Sequence, residues 1–225
     1  MKKKLLMRLA AAALAAGMCL SSAGATYFKD VSSNAWYYSA VNKCSNYGYM
    51  KGYGDGTFRP NATLTRAECA SVIHNLVPDS FNPEPYITDV PNDAWYSDAV
   101  TAVGICMGGS YTDTSKWVSI LAAGSYEHPI YFYPKKACIR QDFAVGLYNA
   151  MGWSQHSWKY HFNDLNSISW GDEYYNYRQA ACSMANNRIM MGDTKGNFNP
   201  KKSITRAEMA QILCNFAENS SDFIS

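Results

Sequence analysis

Long hydrophobic runs are almost missing from this 225-residue chain. The one present, Leu9 to Leu20, is too short for a bilayer, which takes about 20 residues. Lys2, Lys3, Lys4 and Arg8 surround its start, and Ala23-Gly24-Ala25 follows it. It therefore reads as an export signal over residues 1–25, cleaved so that the mature chain starts near Thr26. Met18 stands where a lipobox needs a small residue, which argues against a lipid anchor on Cys19. No second apolar run follows, so no membrane span is expected after cleavage.

An excess of one charge sign is lacking too. The chain has 20 basic and 18 acidic residues, and the four charges of the signal are all positive, which leaves the mature part at a net of −2. There is no basic stripe, and this excludes a nucleic-acid footprint. Histidine is scarce: His74, His128, His156 and His161 have no ligand spacing with the cysteines, and there is no CxxC, so no metal site is expected. A nucleophile elbow, a zinc-hydrolase motif and a carboxylate pair outside the repeated pattern are all absent. No catalytic residue and no cofactor is assigned.

Six cysteines remain after cleavage: Cys44, Cys69, Cys106, Cys138, Cys182 and Cys214. An even number in an exported chain suggests disulfides. Against that, they do not recur at matching places in the repeats, and several fall on helix faces expected to be buried, where Cys acts as a small hydrophobe. Free, buried thiols are the favoured reading, and they would suit an anaerobic habitat.

What the chain does contain is repetition. The first copy, residues 26–80, reads Phe28-Lys29-Asp30-Val31, then Trp36-Tyr37, Ala40-Val41 and Gly52, then Gly54-Asp55-Gly56-Thr57-Phe58-Arg59-Pro60, then Leu64-Thr65-Arg66-Ala67-Glu68. The third copy, residues 160–219, has Phe162-Asn163-Asp164-Leu165, Gly192, Gly196-Asn197-Phe198-Asn199-Pro200 and Ile204-Thr205-Arg206-Ala207-Glu208. Gly52 to Glu68 and Gly192 to Glu208 have identical spacing, whereas about six extra residues lie around Trp170 to Tyr175. The second copy, residues 84–152, opens with Ile87-Thr88-Asp89-Val90 and Trp95-Tyr96 and closes with Phe132-Tyr133-Pro134 and Ile139-Arg140-Gln141-Asp142. It carries a long insert over residues 109–131, with Gly108 to Phe132 spanning 24 positions where Gly52 to Phe58 spans 6.

Each copy reads as helix, loop, helix. Trp36, Ala40, Val41, Cys44 and Tyr47 recur at steps that line one helical face. In the second copy the first helix reads as about one turn short, ending before Gly104. Asp55-Gly56 signals a turn or a small hairpin. It has too few acids for calcium, which takes six or more oxygens. Thr65 with Glu68, and Thr205 with Glu208, are capping boxes. Ile139 forfeits the hydroxyl cap, although Asp142 still suits the positive end of its helix.

Arg66, Arg140 and Arg206 sit in first turns, where the helix dipole disfavours a cation. Two readings stay open: a buried pairing, for example with the Asp of the opening motif, or an anion site in which the guanidinium fork flanks free N–H groups. Asp30, Asp89 and Asp164 share one slot and are either turn formers or ligand contacts. Trp36 and Trp95 read as core about twice as readily as they read as sugar platforms.

The ordered elements FxDV, WYxxAV, the Gly-rich loop ending in F-x-P, and TRAE resemble the S-layer homology (SLH) family over almost all of the mature chain. The resemblance implies a mainly α fold: three helix–loop–helix repeats packed as a pseudo-threefold trimer around a central three-helix bundle of first helices, with grooves between neighbours. It further implies a secreted protein of the cell wall and surface layer. The ligand would be secondary cell-wall polysaccharide with an anionic, pyruvylated sugar. The residues carried over are Arg66, Arg140, Arg206, Asp30, Asp89, Asp164, Trp36, Trp95, Gly52 and Gly192. The altered second copy reduces the expectation to one or two working grooves. Some family members take modified peptidoglycan instead. A rival reading is a surface-protein partner, bound by an insert bearing Tyr111, Trp117 and Tyr126.

Overall fold

A computed structural model describes residues 27–77, 87–107, 131–153, 159–166 and 175–219. The signal segment, residues 109–130 of the insert, and Trp170 lie outside these. Among the described residues there are six α-helices and no strand: α1 Tyr38–Asn46, α2 Arg66–Leu76, α3 Ser97–Met107, α4 Arg140–Ala150, α5 Tyr175–Asn186 and α6 Arg206–Asn219, with a short 3-10 turn at Asn163–Leu165. The fold is mainly α. None of these helices is long and apolar enough to cross a membrane.

The chain divides into two compact units, Met1–Leu64 with Ile204–Ser225, and Thr65–Ser203. The cuts fall just before the N-cap positions of α2 and α6, so they separate loop from second helix within the first and third copies.

In the first unit α1 packs on α6. Ala40, Val41 and Cys44 form the buried face of α1. Trp36 and Tyr47, expected on that face, are 64% and 61% exposed. The reason is that α1 starts only at Tyr38 and ends at Asn46, so the 3.6-residue period does not govern either flank. Gly48 (φ +73) leaves the helix in the left-handed conformation that ends many helices, and the Tyr49 N–H closes back on the Cys44 carbonyl.

In the second unit α4 is the element at the centre. Ten of its eleven residues are buried, from Arg140 through Tyr148 and again at Ala150, and α2, α3 and α5 all pack against it. A Cβ at Gly146 would lie 2.5 Å from Met107 Cγ and 2.9 Å from Ile73 Cδ1, so the missing side chain is what admits α2 and α3. Within this unit the most enclosed helix is thus a second one. The α3 helix also runs on through Gly104 to Met107. An interior Gly costs only about 1 kcal/mol, and buried packing on α4 outweighs it.

The described loops form no hairpin ladder. Tyr53, Asp55 and Thr57 close a tight turn instead, with Gly56 N–H on the Tyr53 carbonyl and Thr57 N–H on Asp55 Oδ1. Among the described residues, strand-like pairing is limited to isolated bridges, Thr63 with Thr205, Thr65 with Ala137, and Ile139 with Ser203.

Candidate ligand-binding site

The three aspartates make one and the same arrangement. Asp30 accepts the N–H groups of Phe58 and Arg59 at 2.8 and 2.7 Å. Asp89 does so for Phe132 and Tyr133 at 2.8 and 2.7 Å, and Asp164 for Phe198 and Asn199 at 2.9 and 2.8 Å. The second residue of each pair has φ near +57°: Arg59 56, Tyr133 57, Asn199 57. Side chains seldom adopt that region. Each carboxylate therefore holds a strained residue in place with two charge-assisted bonds.

The arginines follow an equally regular scheme. Arg66 Nε donates to the Phe132 carbonyl at 2.7 Å, Arg140 Nε to the Phe198 carbonyl at 2.8 Å, and Arg206 Nε to the Phe58 carbonyl at 2.8 Å. Each guanidinium also lies over the ring of that phenylalanine, 4.5, 4.8 and 4.6 Å from its centroid. Arg140 Nη2 reaches the Met191 carbonyl and Arg206 Nη2 the Lys51 carbonyl. Arg66 Nη1 instead meets Asp142 at 2.6 Å. All three arginines are buried. Their partners are the loop that carries Phe in another copy and, for Arg66, the first turn of α4. The aspartates of the opening motif serve the backbone instead.

The N-termini of the three helices are satisfied in the same order. The N–H groups of Arg66 and Ala67 go to the carbonyls of Lys136 and Pro134, those of Arg140 and Gln141 to Lys202 and Pro200, and those of Arg206 and Ala207 to Ala62 and Pro60. Thr65 and Glu68 complete a reciprocal capping box, and Thr205 and Glu208 repeat it. Ile139 makes no side-chain cap. Asp142 is drawn to Arg66, and burial pushes its carboxyl up to about 6.

The tryptophans differ from these buried groups. Trp36 is 64% and Trp95 53% exposed, each edge-on to the tyrosine that follows it, with ring centroids 5.3 Å apart. The core reading of the two rings does not hold, because both precede their helices and point outward from turns. Gly52 and Gly192 are closed in on both sides. A Cβ at Gly192 would lie 2.6 Å from Phe162 Cε1 and 2.7 Å from the Asn197 carbonyl. At Gly52 it would run into Phe28 and lie 2.8 Å from the Thr57 carbonyl. Among the described residues no group of His, Cys, Asp and Glu is placed to hold a metal.

Two segments, residues 27–70 and 177–210, match the family model of the S-layer homology domain. The chain is homologous to surface-layer proteins: 28% identical over 94% of its length to the S-layer protein of Bacillus licheniformis, and 28% over 94% to S-layer protein EA1 of Bacillus anthracis. It spans about a fifth of those relatives, 22% of each. A match of 25% identity over 87% of the chain and 16% of the relative's length is to exoglucanase XynX of Acetivibrio thermocellus. The S-layer homologues indicate a cell-surface location. The residues within the SLH pattern that sequence reasoning did not single out are Phe58, Phe132 and Phe198. Their signal was present, since each stands one residue before the left-handed position and two before a proline.

Proposed function

We propose that this chain anchors non-covalently to the bacterial cell wall by binding secondary cell-wall polysaccharide, with an anionic, pyruvylated sugar, in grooves between three SLH repeats. The repeats over residues 26–80, 84–152 and 160–219 would pack as a pseudo-threefold trimer. What supports that arrangement is the order of the arginine contacts: Arg66 to the second copy's loop, Arg140 to the third's, Arg206 to the first's.

The observation that carries the binding reading is the pair of exposed tryptophans. Trp36 and Trp95 occupy equivalent turns and offer large apolar faces to solvent, the kind of surface on which a sugar ring stacks. Arg140 and Arg206 supply buried positive charge behind the Phe loops, which suits an anionic sugar, whereas Asp142 neutralises Arg66. Asp30, Asp89 and Asp164, with Gly52 and Gly192, fix the loop backbone that lines each groove. The protein acts here as a binder, with no chemistry assigned to it.

The test is co-sedimentation of the full chain with purified walls, before and after acid stripping of the secondary polymer. Trp36→Ala with Trp95→Ala is run beside it, since neither ring is in the core. Binding that disappears on stripping and falls at least tenfold in the double variant is the expected result. Binding that survives stripping points to peptidoglycan itself, and absence of binding to either wall overturns the anchor.

A further inference from the structure

Two pairs of the buried thiols are in contact, Cys69 with Cys138 and Cys44 with Cys214, and the second pair is the one whose geometry places it for a bond. Cys44 in α1 and Cys214 in α6 have their sulfurs 3.5 Å apart. The contact is reciprocal: Cys44 Sγ also donates to the Ala210 carbonyl at 3.2 Å, and Cys214 Sγ to the Ala40 carbonyl at 3.6 Å. Each sulfur thus meets the carbonyl one turn before the other cysteine. The small side chains of Ala40 and Ala210 let the two helices approach this closely. The ion pair of Lys43 with Glu218 at 2.8 Å ties the same helices together on the outside. Cys44 and Cys214 are 0% and 5% exposed, so nothing from solvent separates them.

We propose that Cys44 and Cys214 are a disulfide site, a clasp that oxidation closes between α1 and α6. Closure moves the two sulfurs from contact to a bond of about 2 Å, a change the side-chain torsions can absorb. The oxidant is a small-molecule or protein disulfide of the export environment. The Cys214 thiolate attacks one of its sulfurs, which forms a mixed disulfide and releases the first oxidant thiolate. The Cys44 thiolate then attacks Cys214 Sγ, which forms the Cys44–Cys214 bond and releases the second. The two thiol protons pass to the released thiolates, and the two electrons leave with them. The Cys214 thiol is the better first nucleophile. It is the less enclosed of the two, 5% against 0% exposed, and the Lys43 charge stands beside it. A bond across 170 residues of sequence restricts the unfolded chain strongly.

The experiment takes the full chain, fully reduced, along two routes: incubation of the folded protein with oxidised glutathione, and refolding in a glutathione redox buffer. Non-reducing digestion with mass spectrometry identifies the linked peptides. The expected result is a Cys44–Cys214 cross-link in at least the refolding route, with a thermal midpoint about 10 °C above the reduced form. Cys44→Ser and Cys214→Ser should each abolish the shift while keeping the helical circular dichroism of the reduced protein. If those variants fail to fold, the peptide map of the unaltered chain decides alone. Absence of the link by both routes, or Cys44 joined to a different cysteine, overturns the proposal.

Discussion

Arg66 and Asp142 form an ion pair 2.6 Å long with 1% and 2% of their side chains exposed. Asp142 Oδ1 is buried without a hydrogen-bond partner, so the carboxylate is only half compensated. A pair of this kind adds little net stability, but removing one member leaves a buried charge behind. Asp142→Ala should therefore cost about 3–5 kcal/mol at pH 7, measured by urea unfolding.

The same pair gives a pH dependence. Burial lifts the Asp142 carboxyl to about 6, against the Arg66 charge that lowers it. A raised carboxylate pKa means the folded state binds the proton more tightly than the unfolded one. The contribution of Asp142 is greatest near pH 4 and falls as the pH rises towards 6, by about 3 kcal/mol in total. Asp142→Asn should flatten that part of the stability profile, and unfolding series at pH 4, 5, 6 and 7 for both proteins read the difference.

The Asp164 carboxylate holds the N–H groups of Phe198 and Asn199. Asp164→Ala should cost about 1–2 kcal/mol: the bonds go to a charged group, but the carboxylate is exposed and water takes over part of them. Asp30→Ala should behave alike. Chemical denaturation followed by circular dichroism checks both.

Gly192→Ala drives a methyl group into Phe162 and the Asn197 carbonyl. It should destabilise by about 1–3 kcal/mol. Gly54→Ala, where a Cβ meets nothing within 4 Å, should change stability by less than about 0.5 kcal/mol. Thermal melts of the two variants side by side separate a packing requirement from a general loss of loop freedom.

Thr65→Ala removes one half of a capping box and should cost about 1 kcal/mol. Ile139→Thr should recover part of that amount in the second copy, since Ile139 makes no side-chain cap. Thermal midpoints decide both.

The capping boxes and the helix–loop–helix order were legible because they depend on residues three or four apart. The extent of α1 was less so. Trp36 and Tyr47 match its period, yet they fall in the flanking turns, where period has no meaning. Gly104 suggested an end to α3 that burial against α4 overrode. The arginines were marked as anomalous by their position in the first turn. The acceptors of their Nε groups lie 58 to 148 residues away and are backbone carbonyls, which carry no side-chain signature. Asp142 was read for its own helix end, whereas its partner comes from α2. The identity of the sequestered partner is a tertiary fact that spacing cannot supply.

The distances along the chain also set an order of events as the polypeptide emerges from synthesis. Arg66 has no acceptor until Phe132 and Asp142 are out, and Arg140 waits for Met191 and Phe198. Arg206 alone finds its carbonyls, at Lys51 and Phe58, already made. Early segments must therefore keep a guanidinium hydrated until a later one arrives, and folding of the first segments is withheld until the α6 helix has appeared. A chain in that waiting state keeps its first unit open until its last helix is complete.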